Sequence, residues 1–289
     1  MIKGLVLSAL AGVVLVVAGG VNAAATAQNA VFKPGTQQLT YEVYAGGVNA
    51  VAATLQVYAP ADSEYKLSFS AGTKGFLRAL APWDGTFETH GWQLKDGVRP
   101  ELHRSSAIWR EEEEVKEYSY NKNGDFVGYT VRDPDSTVER DLPPAELTQG
   151  TIDVLTATLD VMKDIAAGQS CDSSSEVFDG KRRFAMKFRL EGEEQLNASR
   201  YNVYGGPSQR CVVEVTPVAG EWHKKPRGWM SIQEQGRMKG KLPTVWFAKV
   251  SPDKPAVPVK VRVTSEYGTM FMHLVGYTDG ATTLAQAQD

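Results

Sequence analysis

Apolar and polar residues alternate along most of this chain, with the period of two that is typical of half-buried β-strands. Leu39, Tyr41 and Val43 show the pattern, and the Gly46-Gly47 turn that follows leads into a return strand. Similar segments, separated by short turns, continue almost to the C-terminus and predict roughly fourteen strands in antiparallel hairpins. A sheet of that length must curl, close or split.

One convincing amphipathic helix interrupts the strand pattern, over residues 151–167, with Thr151 as the predicted N-cap and Gly168 as the end. Its apolar face consists of Val154, Leu155, Leu159, Met162, Ile165 and Ala166. A single helix with this much apolar surface is expected to lie on the concave side of the sheet. The predicted fold is therefore mainly β: a long, strongly curved antiparallel sheet, as an open barrel or β-spiral, wrapped around one main helix.

Residues 72–85 form a second interruption, in which Phe76, Leu77, Leu80 and Trp83 have helix-like spacing that stops at Pro82. Two interpretations stay open. The segment is either a plug over one end of the sheet core or an apolar lip on a ligand cavity. Further along the chain, residues 229–234 are predicted to be a strand.

The N-terminus predicts export. One lysine precedes an apolar run over residues 4–19, and small residues follow, so residues 1–27 are predicted to be a cleavable signal peptide; a retained membrane anchor is the alternative. Residues 28–278 are predicted to be one β-rich domain in the periplasm, and residues 279–289 a disordered tail. No later stretch has the length and apolar character of a membrane span.

Composition narrows the function further. Of 289 residues, 42% are hydrophobic and 22% charged, which is ordinary for a globular protein. The formal net charge of −3 gives no reason to propose a nucleic-acid partner. The two cysteines, Cys171 and Cys211, predict one disulfide in an oxidising compartment, with two buried thiols as the alternative. They are too far apart for a Cys-x-x-Cys redox motif.

No motif for catalysis, a cofactor or a metal is present. The four histidines are scattered, and there is no H-E-x-x-H pair, G-x-S-x-G elbow, P-loop or dinucleotide fingerprint. Two basic clusters remain, formed by Lys181, Arg182, Arg183, Lys224, Lys225 and Arg227. They are either a solvated strand face or a contact surface for anionic headgroups or glycans. Trp222 and Trp229 flank the second cluster.

Five segments, taken in their order along the chain, resemble a known family. They are residues 41–47 (YEVYAGG), 72–76 (GTKGF), 177–184 (VFDGKRRF), 204–206 (YGG) and 216–220 (TPVAG). Together they resemble DUF3108, a family of exported bacterial proteins of unknown function. In that family the helix often begins with Asp-Pro-Leu, whereas this chain has Gly-Thr-Ile-Asp at residues 150–153. The predicted architecture is also similar to lipoprotein carriers and to β-spiral envelope-integrity proteins, although a shared fold does not imply a shared function.

Three functions follow as hypotheses. The first is a periplasmic carrier that binds a lipid, a lipoprotein segment or another amphiphile on the concave side of the sheet. Its candidate contacts are Phe76, Leu77, Leu80 and Trp83 together with Val154, Leu155, Leu159 and Met162. The second is a structural or interaction protein of the envelope whose core is filled by its own helix. The third is a hydrolase or other enzyme with a site assembled in space.

Overall fold

The computed structural model describes residues 34–60, 64–95, 97–109, 112–133, 136–222, 229–265 and 268–286. The strands are β1 (Gln37–Ala45), β2 (Val48–Tyr58), β3 (Glu64–Thr73), β4 (Trp83–Leu94), β5 (Gly97–Trp109), β6 (Glu112–Tyr120), β7 (Phe126–Asp133), β8 (Ser136–Glu139), β9 (Ser173–Phe178), β10 (Arg182–Leu196), β11 (Gly206–Gly220), β12 (Thr244–Ala248), β13 (Val257–Ser265), β14 (Gly268–Thr278) and β15 (Thr283–Ala285). The helices are α1 (Gly75–Leu80), α2 (Ala145–Thr148), α3 (Val154–Ala166) and α4 (Trp229–Lys239). The predicted signal peptide lies outside the described residues.

These strands form one antiparallel sheet. Its order is β8-β7-β6-β5-β4-β3-β2-β1-β14-β13-β12-β11-β10-β9, and β15 pairs with β14. The strands of the first half are neighbours in chain order and are joined by short turns, as the turn pattern predicts, except that α1 lies between β3 and β4. The prediction of a mainly β fold with a long, curved antiparallel sheet that does not close is confirmed.

The helix α3 packs on the concave face against β4, β5, β9 and β12. Its core-facing residues are buried because alternate residues of these strands point at them. The helix begins later than predicted: Asp153, not Thr151, is the N-cap. The reason is that Ile152 is held in extended conformation by backbone hydrogen bonds to Glu176 and Phe178 of β9.

The prediction of a strand at residues 229–234 is wrong, because this segment is the first part of α4. β12 is short and pairs with β11 only from Gln209 to Val212, so the rest of the β11 edge needs other partners. The buried Gln233 of α4 supplies them. Its amide accepts a hydrogen bond from Val215 N–H (3.1 Å) and donates one to the Val213 carbonyl (3.2 Å). A helix therefore covers an edge that would otherwise carry unpaired backbone groups.

Side chains connect the two ends of the strand order, where β6 and β7 come close to the end of β9. The Tyr118 hydroxyl of β6 donates a hydrogen bond to the Asp179 carbonyl after β9 (2.9 Å). The rings of Tyr118 and Phe126 pack against Phe178, with centroids 5.7 and 5.5 Å from it. A Cβ atom at Gly180 would lie 2.5 Å from the Tyr118 hydroxyl, so this turn requires glycine for space as well as for its positive φ.

The predicted disulfide is confirmed. Cys171, just after α3, is bonded to Cys211 of β11, and both residues are fully buried. The bridge fits a protein that folds in an oxidising compartment. Within the described part of the chain, no helix combines the length and apolar character needed to cross a membrane.

The prediction of a disordered tail from Asp279 onward needs correction. Thr283–Ala285 is strand β15, and Asp279 holds the turn before it. The Asp279 carboxylate accepts hydrogen bonds from Ser251 Oγ (2.5 Å) and from the backbone of Thr282 (2.7 Å). Desolvation of Asp279 acts against ionisation, but these and further hydrogen bonds outweigh it and lower the pKa of Asp279 to about 2.

Candidate functional site: the uncovered half of the concave face

The helix α3 covers only part of the concave face. Its N-terminus lies at Thr89 of β4, whose hydroxyl donates to the Asp153 carboxylate (2.8 Å). Its C-terminal half lies beside Gln93, which accepts a hydrogen bond from Lys163 (2.5 Å). The strand β4 begins at Trp83, which is about 20 Å from Thr89 at a rise of about 3.3 Å per residue. This part of β4 therefore lies beyond the N-terminus of the helix. We call the concave surface beyond the α3 N-terminus the uncovered half.

The strand register aligns one row of side chains across the uncovered half. The row consists of Leu55, Phe69, Phe87, Ser105, Lys116 and Val131, each the direct cross-strand partner of the next. Leu55 is buried, but Phe69 and Phe87 are only partly buried although they face the core side of the sheet. Partly exposed phenylalanines on an inward face indicate an apolar concavity that the described residues do not fill.

A second row, nearer the open end, has small residues between aromatic ones. Ala53, Ala71, Gly85 and Ala107 are aligned partners on β2 to β5. The indole of Trp83 lies along its strand over Gly85, because a Cβ atom there would be 2.6 Å from Cζ2 of Trp83 and 3.4 Å from Cε2 of Phe87. Trp83 itself is 4% exposed, and its cross-strand partner Trp109 is partly exposed. Phe69, Phe87, Trp83 and Trp109 form what we call the aromatic wall.

The inner end of the uncovered half is a buried polar cluster at the α3 N-terminus. One Asp153 oxygen accepts hydrogen bonds from the backbone of Leu155 (2.9 Å) and Thr156 (3.1 Å), and the other accepts from Thr156 Oγ1 (2.5 Å). His103 Nδ1 lies 3.3 Å from Asp153 and 2.7 Å from Thr89 Oγ1. Burial acts to raise the pKa of Asp153, but the charge of His103 and these hydrogen bonds outweigh it and lower that pKa.

This cluster is not arranged for nucleophilic catalysis. In a catalytic triad the base uses one ring nitrogen for the nucleophile and the other for the acid. Here the Thr89 hydroxyl and the Asp153 carboxylate both face Nδ1 of His103. All three residues are at most 5% exposed. The cluster therefore anchors the helix to β4 and β5.

The described residues contain no group of three or more histidine, cysteine, aspartate or glutamate side chains arranged to hold a metal ion. The buried Tyr120 hydroxyl, near Thr151, has no hydrogen-bond partner of normal geometry within the described ranges.

The structure separates the two groups of predicted amphiphile contacts. Val154, Leu155, Leu159 and Met162 are each at most 8% exposed in the packed core beneath α3. Phe76 and Leu80 are 75% and 50% exposed on α1, which lies at the open end after β3. Leu77 is partly buried, and Trp83 belongs to the aromatic wall. Phe87, Trp109 and Lys116 have no distinguishing sequence signal, because inward-facing strand residues look alike in sequence whether or not a helix covers them.

Of the predicted basic contacts, the structure describes Lys181, Arg182 and Arg183. Arg182 pairs with Asp179 (2.5 Å) and stacks over the ring of Trp222, 4.9 Å from its centroid. Arg183 pairs with Glu176 (3.0 Å), and Lys181 is exposed. The other predicted contacts, Lys224, Lys225 and Arg227, lie outside the described residues. The contact with an anionic surface stays a prediction.

Asp160, on α3, predicts a pH dependence of stability. Burial first, and the charge of Asp164 second, raise the pKa of Asp160 to about 6. Since the native state then binds this proton more tightly than the unfolded chain, stability falls as pH rises from about 4 to about 6. We expect Asp160→Asn to raise the free energy of unfolding by about 1 kcal/mol at pH 7 and by much less at pH 4, after allowing for partial solvent screening.

Urea unfolding of both proteins at the two pH values measures this difference. Asp253→Asn, at an exposed turn position, is the control and should change stability by less than about 0.5 kcal/mol. An equal gain at pH 4 and pH 7 would contradict the assigned pKa.

Comparison with known proteins assigns the family. The profile described as "Protein of unknown function (DUF3108)" matches residues 40–275. The chain belongs to the DUF3108 family. The resemblance expected from the five sequence segments is thereby confirmed, and the match spans β1 to β14.

Other comparisons add little beyond this family. No curated protein matches the chain. Among solved structures, the chain is similar to one from Brucella abortus described as a beta-barrel-like protein of domain of unknown function DUF1849, with 11% sequence identity and a TM-score of 0.49. The similarity covers 87% of this chain and 100% of that one.

Proposed function

We propose that this DUF3108 protein binds the apolar chain of an amphiphile against the aromatic wall and acts without catalysing a reaction. The observation that carries the proposal is the partial exposure of Phe69, Phe87 and Trp109 on the face of the sheet that elsewhere forms the core. Burying such surface from water is favourable by about 25 cal/mol per Å², so an acyl chain has a reason to bind there.

The shape of the uncovered half supports a long, narrow ligand. Its floor is the anchored N-terminus of α3, and its length along β4 is about 20 Å from Thr89 to Trp83. The exposed Phe76 and Leu80 of α1 stand at the open end, which supports an apolar lip over a plug. The predicted signal peptide and the disulfide support a periplasmic location for this activity.

Filling the uncovered half with a bulky side chain tests the proposal. Ala107 lies on the concave face beside the aromatic wall, so Ala107→Trp should weaken binding of the uncharged probe N-phenyl-1-naphthylamine at least about tenfold, measured by fluorescence titration. Ser106→Trp is the matched control, because the neighbouring residue points to the opposite face and should leave the affinity unchanged.

Two outcomes would count against binding. One is a wild-type protein that does not bind the probe, and the other is an equal loss of affinity in the two tryptophan variants. Native mass spectrometry of protein purified from its own periplasm adds an independent measurement, since a carrier should retain co-purified lipid in at least part of the preparation.

A structural or interaction role in the envelope is the second candidate. It is favoured by α3, which fills the other half of the concavity with its own apolar residues. This role predicts that protein from its natural source is free of lipid in every preparation and that Ala107→Trp and Ser106→Trp behave alike.

A further inference from the structure

A charged residue lies in the same cross-strand row as Phe69 and Phe87 of the aromatic wall. Lys116 of β6 is the cross-strand partner of Ser105, which is in turn the partner of Phe87. Neighbouring strands are about 4.8 Å apart, so Lys116 is about 10 Å from Phe87 across the same concave surface. Its side chain is 18% exposed. An ammonium group therefore stands at a distance from the apolar wall that one amphiphile can span.

Lys116 already has a carboxylate partner. Its ammonium group pairs with Glu114, the next inward-facing residue toward the open end of β6. The Glu114 side chain is 41% exposed, more than twice as exposed as that of Lys116. The cation is thus held inside the concavity, whereas its partner lies toward solvent. An exposed partner is held weakly, because water screens ion pairs near the surface.

The surroundings of Glu114 give its carboxylate another neighbour. Tyr129, on the adjacent β7, is partly buried, and burial followed by the negative charge of Glu114 raises the pKa of Tyr129. The Tyr129 hydroxyl stays protonated at neutral pH, so it adds no negative charge near Glu114.

Resting on the proposed function, we infer that the amphiphile is a single-chain carboxylate whose head group replaces Glu114 on Lys116 while its acyl chain lies along Phe87 and Phe69. Replacing one carboxylate by another keeps the charge at Lys116 balanced. A phosphate monoester would bring up to two negative charges beside Glu114, which disfavours that head group.

Probes that share an acyl chain and differ in the head group test this assignment. We expect 12-(9-anthroyloxy)stearic acid to bind the wild-type protein about tenfold more tightly than the alcohol with the same chain and fluorophore. Lys116→Met should remove most of that preference by weakening the carboxylate about tenfold and the alcohol less than about twofold. Glu114→Gln should tighten the carboxylate, because the competing anion is gone.

Lys66→Met is the control, because Lys66 lies on β3 with its side chain exposed on the other face of the sheet, and its loss should change neither affinity. Carboxylate binding that survives Lys116→Met would overturn the assignment, and so would tighter binding of a lysophosphatidic acid than of the carboxylate. If neither the carboxylate nor the alcohol binds the wild-type protein, the proposed function itself fails. Equal binding of both by the wild-type protein refutes only the assignment of the head group.

Discussion

Replacing Asp153 with alanine should lower the free energy of unfolding by about 3–5 kcal/mol, because it removes the acceptor from a buried cluster. Two backbone N–H groups at the start of α3 would lose their side-chain acceptor, and His103 would lose its contact with the carboxylate. The hydroxyls of Thr89 and Thr156 would lose one of their partners and keep His103 and Tyr65, respectively. Each buried group left without a partner costs about 1–3 kcal/mol, partly offset by local relaxation. Guanidinium unfolding followed by circular dichroism measures the change.

The variant Asp153→Asn tests how much stability comes from the negative charge and how much from the N-cap hydrogen bonds. Asparagine keeps one acceptor oxygen for the helix N-terminus, so we expect this variant to lose about half as much stability as Asp153→Ala. Asp253→Ala, at an exposed position, should cost less than about 0.5 kcal/mol. A loss below about 1 kcal/mol for Asp153→Ala would show that the cluster does not anchor α3.

The same cluster predicts acid sensitivity. The pKa of Asp153 is lower in the folded protein than in the unfolded chain, as burial is outweighed by His103 and by hydrogen bonds. Its contribution to stability is therefore present above the usual aspartate pKa and is lost as the pH falls through the lower, folded value. This direction is opposite to that of Asp160, whose raised pKa makes the protein less stable as the pH rises.

Removing the disulfide should have the second large effect. The bridge joins residues 40 positions apart in the sequence, and the chain-entropy model gives about 4 kcal/mol for a loop of this size. We expect the double variant Cys171→Ser, Cys211→Ser to lose about 2–4 kcal/mol and to keep its β-sheet circular dichroism spectrum. The helix and β11 also contact the rest of the core, so the fold does not depend on the bridge alone.

Unfolding the wild-type protein with and without dithiothreitol provides the matching measurement. The reduced wild-type protein should resemble the double variant, whereas the double variant should not respond to dithiothreitol. Complete alkylation of both cysteines in unreduced, denatured protein would show that the disulfide is absent.

The sequence predicted most of the fold because strand alternation and hairpin turns are local signals. Leu39, Tyr41 and Val43 face the core as their spacing indicates. The helix start was two residues off because Thr151 and Asp153 are both good N-caps, and the contact of Ile152 with β9 decides between them. The strand predicted at 229–234 failed for a similar reason: a helix is needed there to cover the β11 edge through Gln233.

The candidate site was harder to predict. The apolar face of α3 lies on the concave side, as predicted, but Leu159 and Met162, which were predicted to contact a ligand, are fully buried. Phe87 and Lys116 carried no separate signal. Their alignment depends on two successive cross-strand pairings, and each pairing is set by the register of the hairpins rather than by residue type.

By itself, the sequence determined that this protein is mainly β, that one helix packs inside a curved sheet, and that Cys171 and Cys211 are suited to a single bridge. These properties follow from period, turn chemistry and cysteine count, which neighbouring residues specify. Only the tertiary structure decided how far along the sheet the helix extends. That extent leaves Phe69, Phe87 and Trp109 partly exposed. It depends on contacts between distant residues, above all Asp153 with Thr89 and His103, which no local pattern encodes.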